Sequence, residues 1–204
     1  KAVGSSLIVT TKAYPYVAQG AHPSNMTLAR MRENQSCVSK RSIVGMGHSV
    51  MYASPDGLIS AAGNIATLAT EKVYSRAQWQ AMKPETIHGY MHEGSYIGFY
   101  TVSGVQKGFI FNPKSLLLSD LTDVTTLTGG YANPEDDALY FIDNVSQIKQ
   151  FNAGTDSTYE WQSKQYKVGR PMNMAAARVE AESYSNITLY VYAESGLVHT
   201  QTVL

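Results

Sequence analysis

Charge, cysteine and long apolar runs are all scarce in this sequence. Sixteen basic and sixteen acidic residues cancel, and charged residues make up 16% of the 204, against roughly a quarter in an average soluble domain. That balance gives no electrostatic ground for a nucleic-acid track, an anionic membrane surface or an acidic substrate. The single cysteine, Cys37, rules out an intrachain disulfide and a thiolate zinc site. Its alternating surroundings, "NQSCVSKRSIV", read it as a small buried core thiol rather than a nucleophile. No apolar stretch approaches membrane-spanning length, and no signal-peptide pattern is present. The chain begins without Met and stops directly after a strand-like run, so the sequence reads as a piece of a longer polypeptide.

What is plentiful is tyrosine, with fourteen against two tryptophans and five phenylalanines. Tyrosine suits strands and half-buried surfaces, where the ring packs and the hydroxyl stays wet. The strands announce themselves as hairpins. In "MYASPDGLIS", Met51 to Ser60, two short apolar runs are joined by Ser-Pro-Asp-Gly. Proline presets φ, aspartate bonds its own backbone, and glycine is placed to take positive φ. The same grammar recurs from Leu7, Tyr96, Leu139 and Leu189, about 45 residues apart with a longer last interval. Self-similarity at that period, with hairpins in each unit, predicts an all-β, β-propeller-like array of antiparallel blades. The expectation is one such domain over 1–204, with hairpins near 7–18, 49–60, 96–111, 139–151 and 189–203.

Further strands are expected from Ser36 ("SCVSKRSIVGMG"), Thr86 ("TIHGYMHE"), Ser157 ("STYEWQSKQYKV") and Ala175 ("AAARVEAES"). One segment breaks the pattern. In "SRAQWQAMKP", Ser75 and Gln78 have capping-box spacing and Pro84 follows as a stop, which predicts one short inserted helix. A weaker helical pattern runs through "HPSNMTLARMREN".

Chemistry-bearing groupings are thin. His88 and His92 share a face, but on a strand they stand about 13 Å apart, too far to hold one zinc. Glu135, Asp136 and Asp137 lack the spacing and glycine of a calcium loop and read as a solvated turn. Asp120, Asp123 and Asp156 read the same way. There is no G-x-S-x-G elbow and no phosphate loop. No catalytic, cofactor-binding or metal-binding residue is assigned, and no cofactor is expected. Four N-x-S/T sequons, at Asn25, Asn34, Asn144 and Asn186, read as chance in a chain this rich in Asn, Ser and Thr.

Several phrases taken together resemble one family. They are "SCVSKRSIVGMGHSVMYASPDGLIS" (36–60), "ATEKVYSRAQWQAMKPETIHGYMHEGSYIGFY" (69–100), "GFIFNP" (108–113) and "YEWQSKQYKVGRPMNMAAARVEAESY" (159–184). In this order they are similar to the propeller-bearing nozzle, or tail-tubular-B type, proteins of short-tailed bacteriophages. The resemblance runs from about Ser36 onward. It implies a non-catalytic virion structural protein in the tail. Copies of such a protein, typically six, form a ring that meets neighbouring tail and adaptor proteins, and DNA passes through without sequence-specific binding. The motif residues it carries over are scaffold: Asp56 and Gly57 for the hairpin, Trp79 anchoring the helix, and Trp161 and Lys164 on their strand. Two other readings stand beside it. One is a propeller that binds host-surface glycan or a receptor through aromatics near Tyr96, Tyr131 or Trp161. The other is a propeller glycoside hydrolase with carboxylates converging on its channel.

Overall fold

The computed structural model describes residues 1–121, 124, 126–154, 158–170, 176–180 and 186–203. Their regular structure is almost entirely antiparallel strand. The first sheet is a meander of β1 (Ala2–Val3), β2 (Ser6–Val9), β3 (Tyr16–Gln19) and β4 (Thr27–Arg30). The second joins β5 (Val44–Gly45), β6 (Val50–Ala53), β7 (Leu58–Ala62) and β8 (Ile65–Leu68). A helix, α1 (Arg76–Ala81), then precedes the third sheet of β9 (His88–His92), β10 (Ser95–Val102), β11 (Val105–Asn112) and β12 (Leu117–Leu121). The fourth has three strands, β13 (Leu127–Asn133), β14 (Ala138–Asp143) and β15 (Ile148–Gln150). A two-stranded ribbon follows, β16 (Ile187–Ala193) and β17 (Gly196–Val203). Contacts group the chain into compact units at 1–155 and 156–204. Each unit is described by itself.

In unit 1 the period of two along each strand decides which neighbour a side chain meets. On β6, Val50 and Tyr52 join Ile8 and Val17 of the first sheet in one apolar cluster. Met51 and Ala53, the alternate residues, join Tyr96, Tyr100, Phe109 and Phe111 of the third sheet in another. On β10, Tyr96 and Tyr100 face that cluster, while Ile97 and Phe99 turn the other way to Leu139 and Phe141 of β14. The second and third sheets are therefore covered on both faces. This explains why β6 reads as an unbroken apolar run, Val-Met-Tyr-Ala, rather than an alternation. The first and fourth sheets are packed on one face, and they alternate: β2 buries Ile8 and exposes Leu7 and Val9.

Two stretches of unit 1 differ from the sequence expectations. The second helical pattern is instead a 3-10 turn, Pro23–Asn25, followed by β4. The His22 ring accepts from Ser24 N–H and Asn25 Oδ1 accepts from His22 N–H, which closes the turn after one round, and pairing with β3 then takes the chain into the sheet. The stretch from Ser36 is no continuous strand: it holds a 3-10 turn, Lys40–Ser42, and the two residues of β5. Isolated backbone bonds, Cys37 N to Thr11 O at 2.8 Å and Val38 N to Ala53 O at 3.0 Å, hold its first part.

In unit 2, residues 158–170 and 176–180 carry no strand. Ser157, Ala175 and 181–183, at the ends of those two expected strands, lie outside the described residues, as do Asp123 and Asp156. Between Tyr159 and Val168 neither alternate set of residues is uniformly apolar, so no single face repays burial. All are exposed, Trp161 to 71%.

Candidate functional site at the hairpin–helix junction

Sequence-selected residues meet at the turn between β6 and β7. Ser54 closes it: its N–H and its hydroxyl both donate to Gly57 O, at 2.8 and 2.9 Å. Its Oγ in turn accepts from the N–H groups of Asp56 and Gly57, at 3.2 and 3.3 Å. Asp56 is directed outward to the helix. Its carboxylate pairs with Arg76 Nε at 3.1 Å and accepts from Gln35 Nε2 at 3.2 Å. Gly57 takes positive φ, +158°, as the turn sequence predicts, a backbone that L side chains rarely adopt. Space is a second requirement. A Cβ there would lie 2.5 Å from Thr70 Oγ1 and 2.6 Å from a Leu68 methyl.

The helix is docked onto this turn by its own side chains. Ser75 caps it with Gln78 in the reciprocal box that the sequence predicts. Trp79 is fully buried, and its indole N–H donates to Ser54 O at 2.8 Å. The ring packs against Tyr74 and edge-on to Phe109, and Gln80 donates to Pro55 O. Asp56, Gly57 and Trp79 are thus one node. Trp161 and Lys164 are elsewhere, in unit 2; Lys164 lies 5.3 Å from the Tyr166 ring centroid, and both are exposed. Of the aromatics named for a glycan-binding surface, Tyr131 and Trp161 are exposed but Tyr96 is fully buried. Its inward face is the one that reaches the second sheet, which removes it from any contact surface.

A second set of polar bonds links successive sheets, and sequence reasoning did not find it. Ser39 Oγ donates to Ile87 O at 2.6 Å, and Tyr96 OH donates to Ser42 O at 2.9 Å. Arg41 donates to Thr128 O at 2.9 Å, and Gln106 bonds both the N–H and the C=O of Leu127. These partners are 21 to 87 residues apart, so no local pattern marks them. Within this set His88 is buried. Its Nδ1 lies 3.2 Å from Tyr90 OH and its Nε2 3.1 Å from Gln106 Nε2. Burial, with a smaller contribution from Arg41, lowers its pKa to about 4. Burial likewise raises the Tyr96 hydroxyl and the Cys37 thiol. Cys37 is buried, as the sequence reading has it, and its thiol reaches Ser39 O at 3.2 Å.

No protein-family model matches the chain, and no curated protein matches it.

Among the described residues no three His, Cys, Asp or Glu side chains gather as metal ligands. The acidic turn is held by its own bonds: Asp136 accepts from Tyr140 OH at 2.8 Å, which lowers its pKa, and from Ala138 N–H at 3.1 Å. The junction ties a hairpin tip, a helix and the third sheet into one block.

Proposed function

We propose that this chain is part of a bacteriophage virion structural protein of the tail nozzle type, with the four sheets of unit 1 serving as consecutive propeller blades. The observation that carries the proposal is the stacking of sequential antiparallel meanders, the interior two buried on both faces. Such sheets cannot bury their faces alone, and the array is rigid because each sheet completes its neighbour. Three of the four phrases that resemble the tail proteins fall on the parts that lock this array, the β6–β7 hairpin, α1, and the β9–β10–β11 meander, and the fourth, 159–184, lies in unit 2. Low charge and abundant Tyr, Ser and Thr suit a scaffold meeting neighbours over broad polar surfaces. In this reading the protein acts by assembly, in a ring with copies of itself and against adjoining tail proteins, and DNA leaves through the tube.

Light scattering on the parent polypeptide, followed by negative-stain imaging of the same fraction, tests this. A ring or short tube, alone or with a tail partner added, is the expected result. A monomer that persists with the partner present overturns the reading.

A further inference from the structure

We infer that unit 1 carries a binding site for one neutral sugar ring, in a cavity between the third and fourth sheets. The inference stands on geometry outside the hairpin–helix junction and does not depend on the assembly reading. At the β9–β10 turn, Ser95 lies opposite His92, and continuing the register from Tyr96 and Phe111 sets Asn112 opposite Ser95. His92, Ser95 and Asn112 thus form a polar row across three adjacent strands. One step along, on the same face, Ile97 pairs with Ile110. This row and this apolar step line a cavity of about 310 Å³, closed on the other side by Phe151 and Asn152. Its volume is at the small end for ligand sites, suited to a single ring.

The walls are held in place. Phe151 N–H donates to Leu139 O at 2.7 Å, and its ring stands edge-on to both His92 and Phe141. Asn112 Oδ1 accepts from the N–H groups of Lys114 and Ser115, at 2.9 and 3.2 Å. The oxygen being occupied, the amide nitrogen is the part left to donate to a ligand. Glu93 is at the rim, 72% exposed, with its carboxylate 3.9 Å from His92 Nε2.

The chemistry of this lining selects a class. A pyranose hydroxyl both donates and accepts, so it needs a mixed set of partners. Glu93 accepts, Asn112 donates, and Ser95, Asn152 and the imidazole do both. The C–H face of the ring needs an apolar surface, which Ile97, Ile110 and the Phe151 ring supply. Among the described residues no lysine or arginine lines the cavity, and the side chain at its mouth, Glu93, is acidic. Anionic sugars and phosphates are therefore disfavoured.

The test is a two-dimensional amide NMR titration of the 204-residue chain with the methyl glycosides of glucose, galactose and N-acetylglucosamine, and with N-acetylneuraminic acid. At millimolar ligand, at least one neutral sugar shifts the amides of residues 92–95, 112 and 151–152, and the anionic sugar leaves them unmoved. Asn112→Asp keeps the oxygen that holds the 112–115 turn and replaces the donor. It weakens binding about tenfold, the scale of one lost hydrogen bond, without moving the melting temperature. Should that variant melt early, Ser95→Leu, which fills the cavity, decides: it abolishes the shifts if the site is real. Absence of any neutral-sugar shift, shifts confined to other residues, equal binding of the anionic sugar, or sugar affinity unchanged in the variants overturns the inference.

Discussion

His88 opens β9, buried beneath Phe99 and Tyr90, whose rings lie 5.5 and 5.7 Å from its own. A neutral imidazole is tolerated there and a cation is not, which is why its pKa falls to about 4. The consequence for stability has a definite sign. Between the unfolded value of about 6.5 and the folded value of about 4, the unfolded chain binds a proton that the folded chain refuses. The His88 contribution is therefore complete above about pH 6.5 and declines by up to about 1.4 kcal/mol per pH unit as acid is added. Urea unfolding from pH 7 to pH 4 measures this. His88→Asn is expected to flatten the acid limb relative to wild type, and an identical slope in both proteins counts against the assignment. At the same scale, the two tryptophans show what a single residue's neighbourhood in sequence conveys. Trp79 follows a capping signal, and its helix is legible. Trp161 sits in a run with no apolar face, and its exposure agrees with that composition rather than with the strand expected from alternation.

Among the elements, the β6–β7 hairpin was the most legible, because Ser-Pro-Asp-Gly closes a turn through bonds that span three residues. The crowding around Gly57 was not. Thr70 Oγ1 accepts the Leu58 N–H at 3.0 Å, so a methyl at position 57 displaces the very group that holds the start of β7. Gly57→Ala is expected to cost about 1–3 kcal/mol through overpacking, read as a lower denaturation midpoint with unchanged m-value. A cost near zero would mean that Thr70 and Leu68 relax freely. The cavity residues illustrate the same divide between near and far. His92, Glu93 and Ser95 are neighbours in sequence, but Asn112 and Phe151 reach them only because β11 pairs with β10 and the fourth sheet packs on the third.

At the scale of the whole molecule, the three apolar clusters found among the described residues lie within residues 1–155. Unit 1 therefore contains the buried surface needed to fold, and residues 1–155 produced alone are expected to unfold cooperatively with the buried, blue-shifted emission of Trp79. Red-shifted emission and a broad transition would show that the core needs unit 2. The antiparallel hairpins, the inserted helix with its Ser75 cap, the buried thiol and the scarcity of charge were all set by the sequence itself, since each rests on interactions within a few residues or on composition. Tertiary structure alone decided which alternate face of β6 and β10 meets which neighbour, that Tyr96 points inward, and that His88 is neutral. It also decided that the segment after Ser36 is mostly irregular and that a polar row is roofed by Phe151. Those outcomes depend on desolvation and on contacts between residues tens of positions apart, and neither leaves a local mark in the chain.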